Sequence, residues 1–197
     1  MGKLFYVIGK SSTGKDTIFK SLLENPRLGL KPFVMYTTRP MRAGETPEKE
    51  YHFTDEAGLA RLTEQGKVIE VRAYQTVHGV WKYFTADSEA IDLKNSNYAM
   101  IGVLESFRAA RDYYGAERVI PIYVEVEDGE RLQRALDRER AQEKPRYAEL
   151  CRRFLTDSQD FSEEEIQKTG IEKRFYNQNL QECLQEISSY ILEQEEK

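Results

Sequence analysis

Short apolar runs alternate with amphipathic stretches through most of the chain. Leu4–Ile8 is a run of strand formers that stops at Gly9, and Ile18, Phe19, Leu22 and Leu23 follow at helical spacing. That pattern predicts a strand, a loop and a helix. Residues 98–104 and 119–126 read as two more buried strands, each followed by a helical pattern, with a last short strand near Arg174–Tyr176. Strands alternating with helices point to a parallel sheet in an α/β architecture.

Between the first helix and residue 90 the pattern breaks up. Pro32, Pro40, Pro47 and several glycines separate short alternating pieces at 51–53, 68–74 and 80–84, which predicts an inserted mixed sheet. Residues 129–158 instead predict a charged helical hairpin, with Pro145 separating two amphipathic segments. No internal repeat or low-complexity linker interrupts the chain, and the acidic residues 193–197 read as a solvated helix end. The expected organisation is a core of residues 1–31, 91–128 and 159–197, an insertion at 32–90 and the hairpin at 129–158.

Composition narrows the class. The 197 residues are 40% hydrophobic, 11% aromatic and 32% charged with both signs present, as expected of a folded, soluble chain. A net charge of -5 disfavours a bulk nucleic-acid binder, which needs excess Lys and Arg to release phosphate counterions. Cys151 and Cys183 lie far apart without metal-ligand spacing, and His52 and His78 add no metal motif, so reduced thiols in a cytoplasmic protein are expected. The run at 4–8 is too short for a membrane span or a secretory signal, so no membrane association is expected.

The segment Gly9-Lys-Ser11-Ser12-Thr13-Gly14-Lys15-Asp16-Thr17 has the G-x4-G-K spacing of a phosphate-binding loop, and it falls between a predicted strand and a predicted helix. Gly9 and Gly14 permit a backbone that aims successive N–H groups at phosphate oxygens, the helix N-terminus adds positive potential, and Lys15 supplies a mobile cation. A chance glycine-rich turn is the competing reading, and the strand-loop-helix context weighs against it. Asp16 stands where this motif has Ser or Thr. Two readings fit it: a Mg²⁺ anchor with the Thr17 hydroxyl beside it, or a first-turn acid interacting with the helix dipole.

Arg39, Arg42, Glu45 and Tyr51 cluster in the insertion, in Thr37-Thr38-Arg39-Pro40-Met41-Arg42-Ala43-Gly44-Glu45 and then Tyr51-His52-Phe53. Taken alone this is a basic loop, although guanidinium forks and a phenol suit a monophosphate dianion. The order Thr-Thr-Arg, second Arg, Gly-Glu and Tyr-x-Phe resembles guanylate kinase, a P-loop nucleoside monophosphate kinase family. The resemblance runs on through Val68-Ile69-Glu70, Tyr83-Phe84-Thr85, the hairpin arginines and Asn177-Gln178-Asn179-Leu180.

The resemblance implies a three-layer P-loop NTPase fold, with a parallel core sheet, residues 32–90 as a nucleoside-monophosphate-binding subdomain and residues 129–158 as a lid. It implies that Ser11, Ser12, Thr13, Lys15 and the rest of the loop bind ATP together with Asn177. Arg39, Arg42, Glu45, Tyr51 and Tyr83 would form the GMP phosphate side, and Glu70 and Thr85 would read the guanine. Seven arginines lie between residues 131 and 153. Their spacing also fits a solvated, salt-bridged helix. Arg138 and Arg153 match the family's lid arginines best, Arg134, Arg140, Arg146 and Arg152 less directly. Lys15, Arg39, Arg138 and Arg153 are thus the expected catalytic cations.

The chain also departs from the family pattern. Met35 and Tyr36 stand just ahead of Thr-Thr-Arg, where the family has a serine. The stretch from Glu70 to Tyr83 is longer than usual, and Gly102 and Leu104 occupy the places of two aspartates. Asp16 is the expected substitute for the first, at the Mg²⁺ site, and Glu105 for the second, at the base. The activity implied is Mg²⁺-dependent transfer of the γ-phosphoryl of ATP to GMP, giving ADP and GDP. The alternatives are a kinase for another nucleoside or deoxynucleoside monophosphate, and an inactive guanylate-kinase-like interaction module.

Overall fold

Strand β1 (Leu4–Ile8) is buried at all 5 positions, the signature of a central strand covered on both faces. In the computed structural model, which describes residues 1–42, 44–76, 79–88 and 91–195, β1 pairs in parallel with β7 (Tyr98–Gly102) on one edge and β8 (Val119–Glu125) on the other. Outer strands β2 (Lys31–Pro32) and β9 (Arg174–Tyr176) complete a parallel sheet of order β2-β7-β1-β8-β9. His78 and the last two residues of the acidic tail lie outside the described residues.

Alternation along β1 sends Leu4, Tyr6 and Ile8 to one face and Phe5 and Val7 to the other. The first set packs with Leu104, Phe107 and Ala110 of α3 (Leu104–Tyr114) and with Phe161 and Ile166 at α6 (Glu163–Lys168). The second packs with Ile18 and Leu22 of α1 (Lys15–Glu24) and with Cys183, Ile187 and Ile191 of α7 (Leu180–Glu195). Helices on both faces of a parallel sheet give the three-layer α/β architecture expected from the alternating pattern.

The insertion carries its own sheet, of order β4-β3-β6-β5, made by β3 (Tyr36–Thr37), β4 (His52–Phe53), β5 (Val68–Thr76) and β6 (Gly79–Ala86). It is mixed: β3 and β4 run parallel, and the other pairs are antiparallel. Helix α2 (Glu56–Glu64) lays Leu59 on it, beside Phe84 and Ala86. The charged hairpin is α4 (Asp128–Arg140) and α5 (Tyr147–Asp160), with Pro145 in the connection. Among the described residues no helix is long and apolar enough to cross a membrane.

Three sequence expectations shift. The strand expected over 98–104 stops at Gly102, and Leu104 opens α3, its side chain buried in the core because it belongs to the helix's inner face. The boundary expected at 31/32 falls inside β2, and Phe33 still donates its backbone N–H to the Ala99 carbonyl at 2.8 Å, so the core reaches further into the insertion. Helix α2 was hidden among turn-forming residues, although its cap is visible: the Asp55 carboxylate accepts the Gly58 N–H at 2.8 Å.

Phe107 is fully buried and meets the Tyr6 ring edge-on, with centroids 5.6 Å apart. Phe107→Ala should cost about 3–5 kcal/mol, seen as a lower urea midpoint with an unchanged slope. A loss under about 1 kcal/mol would mean that α3 does not depend on this contact.

Candidate active site

The phosphate-loop segment leaves the carboxyl end of β1, where ligands of parallel α/β sheets bind. Gly9 is pressed against β8, since a Cβ there would meet the Val124 carbonyl oxygen at 2.5 Å. Ser12 and Gly14 adopt left-handed conformations, with φ of 66° and 84°, which curl the loop. Helix α1 then begins with no side-chain cap, so its first N–H groups stay available for an anion. Asn177, buried beneath the loop, donates through Nδ2 to the Thr13 carbonyl at 2.8 Å, shaping the cradle from behind. Thr13 Oγ1 donates to the Lys10 carbonyl at 2.9 Å.

Lys15 Nζ lies 3.4 Å from the Lys10 carbonyl and 3.9 Å from Asp16. Burial lowers its pKa, while the charges of Asp16 and Asp157 oppose the shift. The Asp16 side chain is 82% exposed. One open carboxylate beside a phosphate cradle fits Mg²⁺, which retains waters and shares substrate phosphates. No cluster of 3 or more metal-ligating side chains occurs among the described residues, so an all-protein cage is not the arrangement on offer.

The hairpin closes over the loop. Arg138 Nη2 donates to Ser12 Oγ at 3.0 Å, and Arg138 and Arg153 line, with Ser11 and Ser12, a cavity of about 490 Å³. Arg153 is held by Glu149 at 2.9 Å, and the same carboxylate accepts Arg152; Arg152 first and Arg153 second hold it at about 2. Arg134 donates to the Asn177 carbonyl at 2.9 Å and pairs with Glu130. Arg131 is different, only 1% exposed, 3.2 Å from Asp157 and stacked 4.1 Å from the Phe154 ring centroid. Asp157 in turn accepts the Ser11 backbone N–H at 2.7 Å, so a carboxylate from α5 occupies a loop amide. Arg131, Arg138, Arg146 and Arg153 thus line the cavity, with Arg131 also tied to the Ser11 carbonyl of the loop, while Arg134 is tied to Asn177 just after β9.

In the insertion Arg39 is 3% exposed and almost fully committed. Its Nε donates to the Tyr83 hydroxyl at 3.1 Å, Nη1 to the Pro40 carbonyl and to Glu45 Oε2, and Nη2 to Glu45 Oε1. Its guanidinium lies 5.2 Å from the Tyr51 ring centroid and 5.4 Å from that of Phe53. Arg42 is exposed, and its backbone N–H donates to Glu45 at 2.7 Å. Strand register sets Glu70 directly opposite Thr85, whose hydroxyl donates to Glu70 Oε1 at 2.8 Å.

One place of a missing family aspartate, Gly102, and one expected substitute, Glu105, have these surroundings. Gly102 backs onto Tyr6, so that a Cβ would fall 2.6 Å from the Tyr6 hydroxyl, which donates to Ser106 Oγ at 2.7 Å. Glu105 sits exposed in the first turn of α3. Its charge, after burial and Asp157, helps raise the pKa of Asp160, and it makes no hydrogen bond to Glu70 or Thr85 among the described residues. Tyr6, Ser106, Asp157 and Arg72 were not singled out as site residues in the sequence. Only Arg72 carried a signal, its spacing of two from Glu70 on a predicted strand.

A family model described as guanylate kinase matches residues 1–194. Among curated relatives, guanylate kinase of Methylobacillus flagellatus is 31% identical over 125 residues, 64% of this chain and 56% of that protein. The Neisseria gonorrhoeae enzyme is 30% identical over 124 residues, covering 62% and 58%, and the Aliivibrio fischeri enzyme is 39% identical over 70 residues, covering 35% and 34%. The chain thus spans between about a third and under three fifths of these relatives' lengths. The crystal structure of guanylate kinase from Anaplasma phagocytophilum superposes with a TM-score of 0.67 at 19% identity, covering 100% of this chain and 87% of that one, a likeness of fold.

Glu45 offers a test of the acceptor geometry. Arg39 first, then the Arg42 amide, hold its carboxyl at about 2 against an ordinary 4.5, so its stabilisation is present above pH 4.5 and lost as pH falls toward 2. Glu45→Gln should lower the thermal midpoint near neutrality, with the gap to wild type closing across that window. A gap that stays constant with pH would count against the pairing.

Proposed function

The chain belongs to the guanylate kinase family, and from that premise we propose that it transfers the γ-phosphoryl of ATP to GMP, giving ADP and GDP. The observations that carry this reading are two separate sets of polar groups. The loop with Lys15 and Arg138 forms a donor-phosphate half, and the inserted sheet presents Arg39, Tyr83, Glu70 and Thr85 as an acceptor half.

The loop's backbone N–H groups and Lys15 would bind the β- and γ-phosphates of ATP. Arg138 and Arg153 would line the γ-phosphoryl and balance the charge that spreads over its equatorial oxygens in transit. Lys15 is well placed for that work, because a half-desolvated ammonium acts more strongly in a site that excludes water. Asp16 and Thr17 would hold Mg²⁺, which when bound neutralises the β/γ oxygens. Arg39, Arg42, Tyr51 and Tyr83 would seat the GMP phosphate in line, with Glu45 keeping Arg39 oriented before substrate arrives. Glu70 would accept guanine N1–H and the 2-amino group, positions at which adenine offers no matching pair of donors. Positioning and charge stabilisation carry the reaction, and no covalent protein intermediate is needed.

Retention of Lys15 together with cavity-lining arginines disfavours an interaction module without chemistry. ADP release should be fastest with GMP among AMP, CMP, UMP and dGMP. Lys15→Ala should lower kcat/KM by about 10²–10³. Absence of turnover with every monophosphate, or preference for another base, would overturn the reading. Asp16→Ser should raise the Mg²⁺ concentration needed for half-maximal rate, and an unchanged Mg²⁺ titration would remove Asp16 from the metal site.

A further inference from the structure

Arg72 is the acceptor-side cation that the phosphate chemistry leaves unused. It lies two residues from Glu70 on β5, and side chains at that spacing share one face of a strand. Nε donates to Glu70 Oε2 at 3.1 Å, and Nη2 reaches Glu70 Oε1 at 3.3 Å and Met35 Sδ at 3.6 Å. Nη1 has no hydrogen-bond partner among the described residues.

The surroundings place this group toward the core sheet. The Arg72 side chain is 12% exposed and that of Glu70 is 8% exposed. The charge of Arg72 acts on the Tyr6 hydroxyl, which lies against Gly102 at the carboxyl end of β7. The guanidinium therefore lies between the inserted sheet and the ends of the core strands, beside the carboxylate assigned to the base.

Donors and acceptors at this spot now stand side by side. Glu70 takes the Thr85 hydroxyl and Arg72 Nη2 on Oε1 and Arg72 Nε on Oε2, which leaves one acceptor site, on Oε2, for a further bond until the rotatable Thr85 hydroxyl turns away. Guanine presents N1–H and the 2-amino group on one edge and the acceptors O6 and N7 on the neighbouring edge. Arginine is the common reader of that O6/N7 edge. Adenine turns an N6 amino donor toward the same position and would face Arg72 donor to donor. At position 102 even a Cβ would fall 2.6 Å from the Tyr6 hydroxyl, so the place of one family aspartate is filled by Tyr6, and Arg72 puts a cation beside Glu70.

We propose that Arg72 is a specificity-determining residue whose Nη1 donates to the O6/N7 edge of the acceptor guanine; this rests on GMP being the acceptor. The test compares GMP with 7-deazaguanosine monophosphate, which lacks N7 and is otherwise the same shape, in wild type, Arg72→Gln and Arg72→Ala. Wild type should use the 7-deaza nucleotide about tenfold less well in kcat/KM, the size of one charge-assisted hydrogen bond. In both variants the two nucleotides should become equivalent, and the preference for GMP over AMP should narrow.

If Arg72 only braces Glu70, its loss weakens both nucleotides alike and the penalty for 7-deazaguanosine monophosphate persists, which overturns the proposal. A wild-type protein that turns over GMP briskly and treats the two nucleotides equally overturns it without any variant. A wild-type protein that phosphorylates a different monophosphate and not GMP removes the acceptor assignment itself, and this proposal with it.

Discussion

Strand β1 has hydrogen-bonded neighbours on both edges and buried side chains on both faces, so its chain can leave the sheet only at its carboxyl end. There Gly9 passes against the Val124 carbonyl and the loop folds over the uncapped start of α1. Burial thus produces a phosphate site as a by-product of topology: a strand that cannot be reached from any side delivers backbone N–H groups at its one open end. Asn177, just after β9 and itself bonded by Arg134, secures the same loop, and Arg131 of α4 and Asp157 of α5 secure it from the hairpin. The cradle is held by three segments distant from it in sequence.

Much of the cleft's positive charge is already matched by protein acceptors. Arg39 is clamped by Glu45, Arg72 by Glu70, Arg131 by Asp157 and Arg153 by Glu149. Pairs of this kind contribute little net stability once desolvation is counted. What they do is fix guanidinium planes in space, and a planar fork held in one orientation loses less entropy when it meets a phosphate or a base. Under the phosphotransfer reading, substrate anions enter a site in which carboxylates have kept the guanidinium groups aimed. Asp157 on the Ser11 amide is the plainest case, an anion from the hairpin resting on the loop.

Much of this was legible in the chain itself. The apolar runs at β1, β7, β8 and β9 are strands because Val, Ile, Tyr and Phe on both faces suit burial between helix layers, and the phosphate loop follows from its spacing between β1 and α1. Local periodicity also marked the hairpin, since Pro145 cannot continue a helix. Less was legible where a short segment draws its stability from elsewhere: α2 depends on a cap and on Leu59 meeting Phe84, and the end of β7 depends on Leu104 turning inward to α3.

The sequence by itself determined the loop between β1 and α1, because a cradle of that kind is local: one strand, one loop and one helix, contiguous in the chain. Tertiary structure decided which side chains of the inserted sheet meet. Pairing of Glu70 with Thr85 is a matter of cross-strand register, and the seating of Tyr6 against Gly102 joins two neighbouring strands that are far apart in the chain. That Arg131 both lines the cavity and braces α4 against α5 depended on where Phe154 and Asp157 fall once the two helices pack. Charges of one type recur along the hairpin with nearly identical spacing, and only the partners that folding brings to each of them separate a strut from a substrate-facing group.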